Sequence, residues 1–370
     1  MGGVAPPVPA GLMHGTRVNF MLDTSAPGDP MCVQVRPLPN QVGLSCGGDS
    51  QAGQKLVNED RTIATDLQES LGHMVGIFDG HRGTYCADYL SQELPKTIVQ
   101  HVRELVNQEA MRRGAAPGAP WEPLTEAEEV DAIRMGIIAG LEATDRNFLG
   151  LAQQYGFKDG AAAVVAIIMH GFQSSSSSVP AAPGGQARLF AAWSGTGHIL
   201  LLRGRQVLRC TEDHVVNRDD ERRRLAGLGA HLVQDLRGLW WMGRPGNPEL
   251  AWARQQCYDD VAGPKTFMAA SRGFGDIMLK GPPFPVLAAA PEVQVTDLCP
   301  DDWAIVLATR GVFSVLSDQD VANACWDAMA QNGQGPQEAA QIVTQRALQL
   351  GARSNLTCIV MRLGWAKLPS

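Results

Sequence analysis

The chain has 370 residues, 45% of them hydrophobic, with a formal net charge of −7 and a pI of about 5.6. That length buries a sizeable core, and the acidic balance excludes a nucleic-acid partner held by a broad basic field. Eight cysteines are scattered without a C-x-x-C pair, so neither a zinc site nor a disulfide framework is indicated and reduced thiols are expected.

In chain order, residues 1–41 carry seven prolines, from Pro6 to Pro39, and read as an arm on or beside a domain. Met1-Gly2 opens like a myristoylation signal, but Pro6 stands where that signal wants Ser or Thr. No basic segment leads into an apolar one, and no run approaches the roughly 18 apolar residues of a membrane span. An intracellular protein, cytoplasmic or nuclear, is the expectation. One domain is expected over 42–365. Alternation and apolar runs predict strands at 71–78, 161–169, 187–193, 198–203, 266–270, 292–295, 303–308 and 356–363. Helical periodicity predicts helices at 85–112, 126–152, 218–228, 318–330 and 336–350. Paired long helices and hairpin-like strand pairs imply sheets stacked between helical layers, an α+β class. The serine run 174–178, with Pro180 and Pro183 after it, reads as a surface loop.

Two acidic clusters stand out: Asn58-Glu59-Asp60-Arg61, and Phe78-Asp79-Gly80-His81 at the end of an apolar run. A hard divalent cation needs several oxygen ligands, and a carboxylate at a strand end beside Gly lets the glycine carbonyl reach the same ion. On spacing alone the signal is weak, and solvated charges at loop edges are the more usual explanation of both clusters.

The order of the motifs resembles the protein phosphatase 2C family over about 42–363. Glu59-Asp60 is similar to its acidic pair and Asp79-Gly80-His81-Arg82-Gly83 to its bridging-metal signature. Thr211-Glu212-Asp213-His214, Ser271-Arg272-Gly273-Phe274-Gly275-Asp276 and Pro291-Glu292-Val293 follow in the family's order. Segments 308–317 and 351–357 occupy the places of its last two signatures. The resemblance implies two antiparallel β-sheets packed as a sandwich between helical layers, αββα. It also implies a pair of Mg²⁺ or Mn²⁺ ions whose bridging hydroxide attacks phosphoserine or phosphothreonine.

On that resemblance, Asp79, Gly80, Asp60 and Glu59 are the residual metal positions and His81 the vestigial general acid. Three acidic ligands are replaced: Arg310 stands in the Asp-Gly motif, Ser354 in the Asp-Asn motif and Thr196 in the G-D-x-R hairpin, which here reads Gly195-Thr196-Gly197-His198. Lys55 takes the place of the phosphate-binding arginine. Arg310 is a permanent cation, and a like charge about 4 Å from a dication costs about 8 kcal/mol at an effective dielectric near 20. The expectation is therefore a binding or regulatory pseudophosphatase without a dinuclear metal centre. The alternative is an active Mg²⁺- or Mn²⁺-dependent Ser/Thr phosphatase.

The segment 234–265 is longer than its family counterpart and carries Trp240, Trp241 and Trp252 among arginines. Tryptophan and arginine favour interface hot spots, so a protein or phosphoprotein partner is expected there, unless the indoles only pack the insert onto the domain. Gly43-Leu44-Ser45-Cys46-Gly47 has the form of a nucleophile elbow but lacks a following helix, so a strand and turn are expected.

Overall fold

The segment from Gly160 to Met169 contains no charged residue and does not alternate in polarity, so it suits only a strand covered on both faces. In the computed structural model, which describes residues 31–34, 44–67, 71–114, 124–172, 186–252, 266–283 and 285–369, it lies in the centre of a sandwich. Its sheet runs β13 (Glu292–Leu298), β6 (Gln186–Ser194), β5 (Gly160–Phe172), β4 (Gly72–His81), β3 (Arg61–Leu67), with β12 (Phe274–Gly275) pairing to β5. The second sheet runs β1 (Met31–Gln34), β2 (Leu44–Gln51), β15 (Leu356–Leu363), β14 (Asp302–Ala308), β7 (His198–Arg203), β8 (Gln206–Arg209). All the pairings within these two sheets are antiparallel.

Alternate residues of β5 serve different cores. Ala163, Val165 and Ile167 face a helical layer, while Val164, Ala166 and Ile168 face the second sheet. The outer layer on the first sheet is α1 (Tyr85–Gly114) and α2 (Glu126–Tyr155). A capping box of Thr125 and Glu128 starts α2, and Gly156 in the left-handed conformation ends it. On the second sheet lie α7 (Asp318–Trp326), opened by a Ser317–Asp320 capping box, and α8 (Pro336–Gln349), with proline in its first turn. The observed architecture is the expected αββα sandwich.

The differences from expectation are local. Strand β2, with a run of Gly47-Gly48-Asp49-Ser50-Gln51, has little strand propensity of its own; it forms because β15 and β1 pair along its two edges. Strand β1 lies within the segment read as an arm. The predicted strand at 266–270 shrinks to β11 (Phe267–Met268). The predicted helix at 318–330 stops at Trp326 and continues as a π-helical turn, Asp327–Gln331. Three short helices escape periodicity analysis, being under two turns long: α4 (Pro248–Trp252), α5 (Ile277–Lys280) and α6 (Arg310–Phe313). Helix α3 (Asp219–Gly227) lies within its predicted span.

Around the long segment, the described residues form a third sheet, β11–β10 (Trp240–Gly243)–β9 (His231–Gln234), with its own small core. Trp241 belongs to that core: its indole N–H donates to Asp235 at 3.2 Å and its ring meets Phe267 edge-on. It therefore packs the insert rather than facing a partner, whereas Trp240 is only partly buried, under the Arg222 guanidinium. The side chain of Trp252, residues 253–265 and the serine run 174–178 lie outside the described residues. Among the described residues, no helix is long and apolar enough to cross a membrane.

Candidate functional site

Antiparallel register places Arg61 opposite Phe78, so Glu59-Asp60 before β3 and Asp79-Gly80-His81 at the end of β4 meet at one edge of the sandwich. The incoming loop is tied to the other sheet by Asn355. Its amide nitrogen donates to the carbonyls of Ala52 at 3.0 Å and Val57 at 3.1 Å, and its Oδ1 accepts from the Glu59 N–H at 3.1 Å. Glycine is required at two contacts in this frame. A Cβ on Gly80 would lie 2.4 Å from the Glu59 carbonyl oxygen, and one on Gly311 would lie 2.1 Å from that of Asn355.

Within this frame Asp60 is buried, and its Oδ2 accepts from the Thr357 hydroxyl at 2.6 Å. Its Oδ1 is buried with no hydrogen-bond donor, and its side chain meets that of Asp79. Burial, then the Asp79 charge, push the Asp60 carboxyl well above the ordinary carboxylate range. Burial also raises Asp79, against the pull of Lys55, His81 and Arg310 in that order. Two carboxyls that meet in a buried site need a proton or a cation between them.

Lys55 Nζ lies 2.9 Å from Glu59 Oε2 with its side chain 15% exposed. Burial works against its charge, yet the Glu59, Asp79 and Asp60 carboxylates outweigh it and raise its pKa. Of the cations that favour the charged form of Asp79, Lys55 acts most strongly, ahead of His81 and Arg310. Arg310 opens α6 directly after β14 and stands partly exposed. Ser354 is partly exposed just before β15, and Thr196 is buried in the turn between β6 and β7.

Four residues acquire contacts that the sequence reading did not assign. Asn355 is the clamp just described, and Thr357 is the donor to Asp60. Asp276 and Arg82 form the far wall. Both have positive φ, 54° and 65°, an uncommon conformation for such residues and one that clusters at functional sites. The fully buried Asp276 carboxylate receives His81 Nε2 at 2.9 Å and the Arg82 guanidinium. Burial works to raise Asp276, but His81 and Arg82 prevail and hold its carboxyl below the ordinary range. This pairing orients the His81 ring. The signal was present in the sequence as the terminal Asp of Ser271-Arg272-Gly273-Phe274-Gly275-Asp276, which had been given no role.

The donor set does not fit a two-ion centre. The orphaned Asp60 Oδ1 beside Asp79 has the chemistry to face one cation. The three remaining positions present a hydroxyl, a guanidinium and a second hydroxyl. Among the described residues, no group of three or more His, Cys, Asp or Glu side chains is arranged to hold a metal.

Comparison with known proteins agrees with the fold. A family model described as protein phosphatase 2C matches residues 45–356. The Arabidopsis thaliana protein named probable protein phosphatase 2C 76 is 24% identical over 329 residues; the match takes in 88% of this chain and 61% of that relative, so the chain spans about three fifths of its length. The Oryza sativa protein named probable protein phosphatase 2C member 13, mitochondrial, is 24% identical, with 86% and 68% covered. Among solved structures, serine-threonine phosphatase 2C from Toxoplasma gondii superposes with a TM-score of 0.64 at 17% identity, covering 91% of this chain and 99% of that one. A sex determining protein of C. elegans gives 0.61 at 19% identity, covering 88% and 67%. With a family model matching most of its length and a sandwich shared with these structures, the chain belongs to the protein phosphatase 2C family.

Proposed function

We propose that this chain is a binding or regulatory module of the protein phosphatase 2C fold with lost or strongly impaired catalysis. The observation that carries the reading is the Lys55 ammonium, ion-paired with Glu59 and acting with Arg310 on the Asp79–Asp60 pair. The acidic side of the cleft already faces the chain's own cations. A pair of divalent ions would have to displace both cations, with fewer carboxylates to repay their dehydration. Lys55 and Arg310 then suit a phosphate or carboxylate of a protein partner, with partly exposed Trp240 as a second contact.

A second reading rests on Asp60 Oδ1, which lacks a donor. One Mg²⁺ or Mn²⁺ at Asp60 and Asp79 would supply a Lewis acid for slow hydrolysis of phosphoserine or phosphothreonine. His81, oriented by Asp276, would hold the proton for the leaving oxygen.

Turnover of a phosphothreonine peptide by purified protein in Mn²⁺ separates the two. The expected rate matches that of Asp79→Ala, while the peptide still binds by fluorescence anisotropy. A Mn²⁺-dependent rate more than about tenfold above that control would establish the second reading instead.

A further inference from the structure

His198 stands at the start of β7 with its side chain only 9% exposed, within a ring of charges distinct from the acidic pair. Its Nδ1–H donates to Asp318 Oδ1 at 2.6 Å, and its Nε2 lies 2.6 Å from the Arg209 Nη2. A guanidinium donates and never accepts, so in this arrangement Nε2 carries the lone pair and the ring is neutral. A different partner is close by. Asp213 Oδ2 is 3.7 Å from Nε2, and Arg209 lies 3.7 Å from Asp213 and 3.9 Å from Asp318.

The charged groups facing the ring are Arg209 of β8, Asp213 of the turn beyond it and Asp318 of α7. Helix α6 presents the neutral Phe313, stacked on the imidazole with centroids 3.7 Å apart, and β14 presents Ala308 in register. With the ring neutral, two carboxylates face one guanidinium. A proton on His198 completes the charge balance, and it turns the flat stack on Phe313 into a cation–π contact.

We infer that His198 is a proton-operated latch on α6: neutral, it is pinned between Asp318 and Arg209; protonated, it turns Nε2–H to Asp213, releases Arg209 and grips Phe313 more firmly. The latch acts on the short helix that carries Arg310 into the cleft. It goes beyond the proposed function and does not depend on it, because it concerns how tightly α6 is held, whatever the cleft binds. Burial opposes protonation, but Asp213 and Asp318 outweigh it and hold His198 above its ordinary value of 6.5. A histidine raised on folding contributes its stabilisation fully below the unfolded value and loses it as pH rises through the folded one. The tight state therefore belongs to the acid side of neutrality.

The test is amide hydrogen exchange of the full-length protein over the peptide spanning 309–317, corrected for intrinsic rates. Protection is expected to be several-fold higher near pH 6 than near pH 8, because the tight state binds the proton more firmly than the loose one. In His198→Gln that pH dependence is expected to vanish. Equal protection in the parent at the two pH values, or the same dependence persisting in the glutamine variant, would overturn the latch. Should that variant fail to fold, Asp213→Asn serves: removing the negative charge that faces the protonated ring should move the midpoint to lower pH, and an unmoved midpoint overturns the inference equally.

Discussion

The two sides of the cleft have the same framework and opposite chemistry. On one side stand the acidic Glu59, Asp60 and Asp79 with His81; on the other stand Thr196, Arg310 and Ser354, two hydroxyls and a guanidinium. Yet each side is shaped in the same way, by a glycine pressed against a carbonyl from the neighbouring loop: Gly80 against Glu59, and Gly311 against Asn355. The comparison teaches that close backbone contact and neutral hydrogen bonds hold the cleft open, independently of ligand charge. Side chains on one wall can therefore change sign while the sandwich survives.

The largest effect should come from making the two walls alike. Introducing Arg310→Asp, Ser354→Asp and Thr196→Asp together is expected to raise Mn²⁺-dependent phosphopeptide turnover by at least about 100-fold over the parent. Calorimetric titration should show Mn²⁺ binding in the variant; a folded triple variant that binds no Mn²⁺ would mean that the framework has drifted along with the ligands. Next is the framework itself. Asn355→Ala removes three hydrogen bonds and strands two carbonyls, which should cost about 2–4 kcal/mol in urea unfolding. A cost below about 1 kcal/mol would show that the 52–59 loop is held by something else.

The smallest effect concerns the acidic wall alone. A carboxyl whose folded pKa is raised binds its proton more tightly in the folded chain. Its contribution is therefore present at low pH and is lost as pH rises above the unfolded value of 3.8. Asp60→Asn carries a donor toward Asp79 at every pH and is expected to raise stability by about 1 kcal/mol at neutral pH. That gain should shrink toward pH 4, and a gain independent of pH would contradict a raised Asp60 carboxyl.

Most of this fold was legible where local and tertiary preferences agree. Strands β7 and β15 end where apolar alternation ends, and both long helices begin at their predicted first residues, Tyr85 and Glu126. Strand β2 was legible only as a strand and turn at 43–47 and β3 not at all, because their polar stretches become strands only when β15 and β4 supply partners. At the site, the motifs identified Glu59, Asp60, Asp79 and His81, but pairings across long sequence separations were invisible. Asp276 meets His81 across 195 positions and Thr357 meets Asp60 across 297.

The order of its motifs and the two periodicities of its apolar residues were enough to determine this protein's layers, because side-chain alternation is a local property. Which cation answers Asp79, that Trp241 packs inward and that His198 rests between two carboxylates and a guanidinium were decided only by tertiary structure. Electrostatic interaction depends on distance through space and on burial, and neither is written in sequence separation.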